Sequence, residues 1–586
     1  MNEVDVTEGK LLPRVWQLAY PAVFQAILSN CYSFNDFLFV GHIKDKAESA
    51  AATAALSATV GLQIVVFALH NIIPSGANSY CSQFKGAKDN QNLALIFRAA
   101  FYSCFILSSV ISFIALVSID FISSLCNSSE DVQIAIKTFL GIILISSPAF
   151  GLLLLVDGFF KSLGDTKTPL RLEIASLTIN VILNYIFVIQ LNLGIGGSAI
   201  ATSISRLLPA LYGLSLILLN KTACKNVSLS LKLNINDNLN QYETLPVDNN
   251  DNQIDDIELV TKSRRESVDS LLPSDNSLYS NIIDIKTRSL QMATIGVFQS
   301  FASAIYGLVF TSLIRLAGEL GDKQQAGLGS GLRGIEWIAF CLSEGFLEAA
   351  CTSVGQCIGA KLYKRAFDAA MLCCLLSSLS AGIVGIPFIL FSTEISSILS
   401  TDRLIIKYCA QYVYVNGFVL SLIGFEMASY GSLLGAGMTR TICIVNGSMN
   451  VLRIPITVLC LYYNRSFQDI FTVILWVFGL HSTLDFTPAG NFYCIAGAIA
   501  GTASAKAFIW MLFFTYKAYT KTYFSGFRLI TDEKDENIKD EKNELNNDIP
   551  IIIQDKRSTK DGYSLVNTGN SELDNNGSGS DEEFTF

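Results

Sequence analysis

Asp36 stands in the stretch NCYSFNDFLFVGHI, residues 30–43, where nearly every neighbour is apolar or aromatic. A carboxylate shielded by lipid is costly unless it is paired, hydrated or protonated. Burial favours the neutral acid, so such a group can take a proton from one compartment and release it into another. The competing reading is a carboxylate near the outer end of its helix, wetted by headgroup water, because Gly41-His42 follow closely. A second set of charges lies in later apolar stretches: Glu336, Glu344, Glu348, Arg453 and Lys506. Glu336 could pair with Arg453 or Lys506, titrate as a second coupling site, or attract a cationic substrate. Glu344 and Glu348, one turn apart, suit a cytoplasmic vestibule or a solvated helix end. Glu426 and Asp157 read as solvated or capping residues at inner helix ends. Tyr32, Phe34, Phe298, Tyr306 and Trp337 could line a cleft that attracts flat cations through the ring quadrupole, or simply pack a core.

Enzyme chemistry finds no support. The three histidines (His42, His70 and His481) are not at metal-ligand spacing, and no phosphate-binding loop occurs. The 14 cysteines are scattered, mostly in apolar runs, with no CxxC pair, and read as small hydrophobes. No catalytic residue, resident metal or cofactor is expected.

These residues must be positioned by elements that tolerate lipid. Of 586 residues, 51% are hydrophobic and only 16% charged, with a mean hydropathy of +0.43. A soluble domain carries about 25% charged residues. Twelve apolar stretches exceed or approach the roughly 20 residues that cross a bilayer as a helix. They are placed at 15–43, 51–80, 94–125, 133–162, 168–192, 195–219, 288–316, 325–357, 366–398, 404–434, 440–462 and 490–517. The expected fold is therefore an all-α, multi-pass membrane protein. The net charge of −9 and pI near 5.1 come largely from polar segments outside the spans. No cleavable signal peptide is expected, since residues 1–14 are polar and the first apolar run is long.

Lys and Arg in the short loops set orientation. Lys85, Lys88, Arg98, Lys161, Lys167, Lys361, Lys364, Arg365 and Arg440 fall on the side of the N-terminus, which places both termini in the cytoplasm. Asn127 and Asn464 then become outer sequons. The expected organisation is a cytoplasmic N-terminus over 1–14, a six-helix lobe over 15–220 and a flexible cytoplasmic linker over 221–285. A second six-helix lobe follows over 286–520, with an outer insertion near 464–491, and then an acidic disordered tail over 521–586. The membrane is the plasma membrane or that of an organelle.

The two halves are copies. QFKGAK begins at Gln83 and QCIGAK at Gln356 (356 − 83 = 273); GDTKT begins at Gly164 and GMTRT at Gly437 (437 − 164 = 273). GLQIVVFAL from Gly61 pairs with GIEWIAFCL from Gly334 at the same spacing, and IGGSAIAT from Ile195 pairs with IAGAIAGT from Ile495 at 300. The difference, 300 − 273 = 27, is the insertion. Arg206 and Lys506 are then partners (506 − 206 = 300), and Tyr32 and Tyr306 near-partners (306 − 32 = 274), both placed toward the cleft. Asp36 has no partner, since 36 + 273 falls on Val309. An even number of spans per copy makes the repeats parallel, two six-helix bundles around a central cleft, an architecture suited to alternating access. The Gly and Thr of GDTKT and GMTRT suit a tight inner turn that ends one helix and caps the next.

With YPAVFQ…NDFLFVG, SLGDTKTP, GSLLGAGMTRT and SVGQCIGAKLYKRA in this order, the chain resembles the multidrug and toxic compound extrusion (MATE) family, over residues 10–225 and 285–520. The inner turns and Gly334-Ile335-Glu336 are most similar to its DinF-like branch. The resemblance implies a secondary antiporter exporting organic, often cationic compounds against inward proton or sodium flow. It also implies a first-lobe cation site at Asp36, Asn180 and Thr202, with Asn184 where many relatives carry an acid. One carboxylate instead of two favours a proton site, although Asp36, Asn180, Asn184 and Thr202 could together offer sodium about four oxygens. The remaining expectations are a small organic substrate, contact with membrane lipid, no nucleic acid and a monomeric state. A lipid or lipid-linked sugar flippase of the same superfamily is the alternative.

Overall fold

The computed structural model describes residues 3–124, 130–219, 276–400, 402–462 and 490–524. The first half contains α1 (Leu11–Val40), α2 (Lys46–His70), α3 (Ile72–Gly86), α4 (Asn90–Val117), the short α5 (Ile119–Ser124), α6 (Glu130–Ser162), α7 (Lys167–Asn184) and α8 (Gly194–Leu218). The second contains α9 (Asn276–Leu320), α10 (Asp322–Ser330), α11 (Trp337–Gly359), α12 (Tyr363–Leu390), the short α13 (Ser392–Ser397), α14 (Arg403–Gly417), α15 (Leu420–Gly435), α16 (Thr439–Tyr462) and α17 (Gly490–Tyr519). Taking α2–α3, α10–α11 and α14–α15 as broken rods, each half has six. Among the described residues, nine helices are long and apolar enough to cross a membrane, or ten if α14 and α15, bent by 62°, form one span. The chain is an integral multi-pass membrane protein of twelve helices in two repeats.

Helix α9 begins at Asn276, so the last ten positions assigned to the linker are helical. The rest of the linker, the sequon at Asn127, most of the insertion with Asn464, and the tail beyond residue 524 lie outside the described residues.

Repeat symmetry extends to the turns. Lys88 and Lys361 both have φ of 59°, and Gly164 and Gly437 have φ of 86° and 73°. Gly164 takes the left-handed conformation that side chains resist. In GDTKT the cap comes from Asp165 rather than from threonine. Asp165 Oδ1 accepts from the Lys167 and Thr168 amides at 3.1 and 3.0 Å, and Oδ2 accepts from Thr168 Oγ1 at 2.7 Å. Asp165, two residues before the helix begins, reaches the free first-turn donors directly.

These turns and the N-terminal segment share one end of the bundle, the N-terminal face. Toward the opposite, far face, among the described residues, two apolar clusters each lie within one half. One cluster joins Val40, Ala52, Leu56, Phe139, Leu140 and Ile195 of the first half, and another joins Leu313, Leu328, Phe388, Tyr412, Val413 and Ile499 of the second. The halves meet mainly through α11 against α1 and α3, and through α9 against α2, α3 and α4. Near the N-terminal face the approach is close enough that a Cβ on Gly86 would strike the Gln356 carbonyl, and one on Gly359 the Gln83 carbonyl. These two clashes are images of one another (359 − 86 = 356 − 83 = 273).

Candidate functional site

Asp36 lies in the last turns of α1 and is buried between α7 and α8. Asn184 Nδ2 donates to its Oδ1 at 3.0 Å, and Thr202 Oγ1 lies 3.2 and 3.1 Å from Oδ1 and Oδ2. Asn180 Nδ2 donates to Thr202 Oγ1 at 3.1 Å, and Asn35 Nδ2 donates to Asn180 Oδ1 at 2.6 Å. The result is a directed relay, Asn35 to Asn180 to Thr202 to Asp36, in which each donor points toward the carboxylate. This polarity matches an ionised Asp36, which only accepts. Asn180 and Asn184 are one turn apart, so both amides face α1 and α8 from one side of α7. Directly after Asn184 the backbone widens into a π-helical turn, Tyr185–Gln190. Single π-helical turns concentrate at functional sites. Asn184 Oδ1 is buried and has no hydrogen-bond partner.

Asp36, Asn180, Asn184 and Thr202 are thus brought together, and burial replaces the headgroup-hydrated alternative. Asn35 was missed by sequence reasoning. It is adjacent to Asp36, but only the packing of α1 against α7 turns its amide toward Asn180.

Tyr32 is placed differently from expectation. Its hydroxyl bonds to Ser176 of α7 and lies 3.4 Å from Ser205 Oγ of α8, inside the first half. The repeat relation to Tyr306 had suggested a cleft-facing ring, but small serines on α7 and α8 leave room for it to turn inward. The Arg206 guanidinium lies over the Phe150 and Tyr32 rings, 4.7 and 5.4 Å from their centroids.

In the second half Glu336 ends a π-helical turn, Gly331–Glu336, and accepts from the Tyr412 hydroxyl. Lys506 does not take Glu336 as its partner. Its Nζ lies 2.6 Å from Glu426 Oε1 and 3.4 Å from Asn450 Oδ1, and Lys506 and Glu426 are both buried. Arg453 donates through Nε to Thr502 at 2.8 Å and lies 6.0 Å from the Tyr306 ring centroid. Glu426 had been read as a solvated helix end. It packs instead against α17, which returns to it from far along the chain.

A third group had gone unread as a cluster. Lys161, near the end of α6, is buried with Asp157 at 2.8 Å and Glu348 of the other half at 3.6 Å. Gln25 donates to the remaining Asp157 oxygen at 2.7 Å. The one available signal was the i, i+4 spacing of Asp157 and Lys161.

A family model described as MatE matches residues 21–186 and 298–459, one stretch in each half. The multidrug export protein MepA of Staphylococcus aureus (strain bovine RF122 / ET3-1) is 24% identical over 213 residues, covering 36% of this chain and 46% of the relative. The chain therefore spans about half the length of the curated relative it matches. A crystal structure of MATE in the straight conformation superposes with a TM-score of 0.67 at 15% identity, over 89% of this chain and 99% of that one. The Vibrio cholerae MATE transporter VcmN in its bent form gives 0.64 at 15% identity, over 88% and 98%. At such identities the superpositions speak for the fold.

Proposed function

Because this chain belongs to the MatE family, whose members are transporters and not enzymes, we propose that it is a secondary antiporter that exports organic, cationic or amphipathic compounds on inward proton flow. The observation that carries the reading is the donor relay ending on buried Asp36. With Asp36 ionised, Asn184 and Thr202 both donate to it. Protonation turns one acceptor oxygen into a donor, which the relay cannot satisfy as it stands. Thr202 must swing its hydroxyl, or the Asn184 side chain must turn its unpartnered Oδ1 toward the new proton. Either change rearranges the bonds that join α7 and α8 to α1, and so couples proton binding to the contacts within the first half.

In the cycle, Asp36 is ionised while substrate binds from the cytoplasm. The halves rock to open the far face, Asp36 takes a proton there, and substrate leaves. The protonated carrier returns and releases the proton inside. The grouping of Lys85, Lys88, Lys361, Lys364 and Arg365 at the N-terminal face supports a cytoplasmic position for that face. The multidrug export named for the relative supports organic cargo. Each monomer is a complete carrier, and the DinF-like placement rests on the inner-turn motifs and Gly334-Ile335-Glu336.

Asp36→Asn is expected to abolish proton-driven ethidium efflux from proteoliposomes while leaving the protein folded by its thermal melt. Undiminished efflux would remove Asp36 from the mechanism. The unpartnered Asn184 oxygen favours one second reading, in which sodium takes the proton's place. Exchanging the imposed proton gradient for a sodium gradient in the same assay separates the two.

A further inference from the structure

The repeated motif glutamines make a matched pair of bonds between the halves. Gln83 Nε2 donates to the Gly435 carbonyl at 3.0 Å, and Gln356 Nε2 donates to the Ser162 carbonyl at 3.1 Å. Donors and acceptors are related by one repeat spacing (356 − 83 = 435 − 162 = 273). Gly435 ends α15 and Ser162 ends α6, so each glutamine serves a last-turn carbonyl that its own helix leaves without a partner. Both glutamines are buried.

The symmetry breaks at the other amide atom. Gln356 Oε1 accepts from the Val6 amide at 3.3 Å, whereas Gln83 Oε1 is buried without a partner. Val6 belongs to an N-terminal segment that ties the halves together. Glu3 pairs with Lys85, and the Val4 amide donates to the Gly164 carbonyl at 3.2 Å, both in the first half. Arg365 of the second half donates to the Val6 and Gly9 carbonyls at 2.7 and 2.6 Å. Val6 is fully buried under these contacts.

We propose that Gln83 and Gln356 are the twin latches of the N-terminal-face gate, and that residues 3–9 form a strap locking the Gln356 latch. The proposal rests on the alternating-access reading and specifies which contacts must part when this face opens. Amides and helix-end carbonyls suit the task, because water can take over each bond once the halves separate. Opening this face then exchanges these hydrogen bonds and leaves the far-face clusters, each within one half, intact. Losing one bond of ordinary net strength shifts an open–closed ratio about fivefold, and losing two independent bonds about thirtyfold.

The test is backbone hydrogen exchange on the full chain in lipid nanodiscs, read at residues 79–88 and 352–361. Gln83→Ala is expected to raise exchange there about fivefold, and Gln83→Ala with Gln356→Ala, which also removes the Val6 bond, by more than about thirtyfold, with residues 46–56 and 403–413 unchanged. Deleting residues 2–9 is expected to raise exchange at the same places. Combined with Gln83→Ala, the deletion is expected to act independently. Combined with Gln356→Ala, it is expected to fall short of the product of the two effects, because the Val6 bond is shared. Unchanged exchange at residues 79–88 and 352–361, or independence in both combinations, would overturn the proposal. If a glutamine variant loosens the whole chain, Arg365→Ala, which removes two strap bonds from the surface, decides in its place: a rise confined to this face supports the lock and no rise rejects it. Failure of ethidium efflux would count against the antiporter reading and leave these exchange rates as they stand.

Discussion

At the scale of single residues, the pocket of Asp36 is defined by the direction of its donors. Asn184 and Thr202 donate to one carboxylate with Asn35 and Asn180 behind them, and Asn184 holds the place where a second acid would sit. Asn184→Asp would set two carboxylates against each other, an arrangement that needs a counter-ion. Efflux is then expected to gain sodium stimulation, measured by adding sodium or choline at fixed pH; a response equal for the two salts would refute this. The position of Asp36 in an apolar run was legible in the sequence, and the choice of Asn180, Asn184 and Thr202 followed from family resemblance. The part played by Asn35 was not legible. Neighbours on a helix point about 100° apart, and only the packing partner shows that both face α7. Tyr32 was misplaced for a related reason, because a repeat relation fixes a helical position and leaves the direction of the ring to the serines around it.

At the scale of elements, buried ion pairs join helices far apart in sequence. Glu426 of α15 and Lys506 of α17 have little access to water, so each depends on the other. Glu426→Gln is expected to cost roughly 3–5 kcal/mol, because it strands the lysine charge, and a Glu426→Gln, Lys506→Met double variant is expected to recover most of it. Thermal unfolding in detergent checks both. A charge near a helix end looks the same in sequence whether water or another helix receives it, which is why Glu426 and Asp157 were read as solvated or capping residues. Exposed caps behave differently. At the far face the Lys323 ammonium beside Asp402 holds its carboxyl below the usual carboxylate range, helped by the Leu404 amide of the α14 cap. Because the folded state holds the proton less tightly, this contribution is complete above the ordinary aspartate range and is lost as pH falls through the depressed value. Asp402→Ala is expected to flatten the acid limb of a stability–pH curve below about pH 4 and to leave it parallel to the parent above.

At the scale of the whole molecule, the repeat was the most legible feature. One spacing, 273, relates the Gln83 and Gln356 motifs, the left-handed Lys88 and Lys361, and the Gly164 and Gly437 turns. Twelve spans and a parallel duplication follow from hydropathy and spacing because lipid leaves the backbone few alternatives. The contact between halves was not legible, since pairs such as Lys161 and Glu348 are joined only once both bundles are assembled.

The confinement of each far-face cluster to one half has a thermodynamic consequence. Resistance to heat and readiness to change shape are governed by different atoms, so one can be altered without disturbing the other. Leu140→Ala, inside the first-half cluster, is expected to lower stability by about 2–5 kcal/mol and to leave amide exchange at residues 79–88 at its parental rate. On the proposed mechanism, such a chain is expected to lose melting temperature, or gain it, at constant turnover.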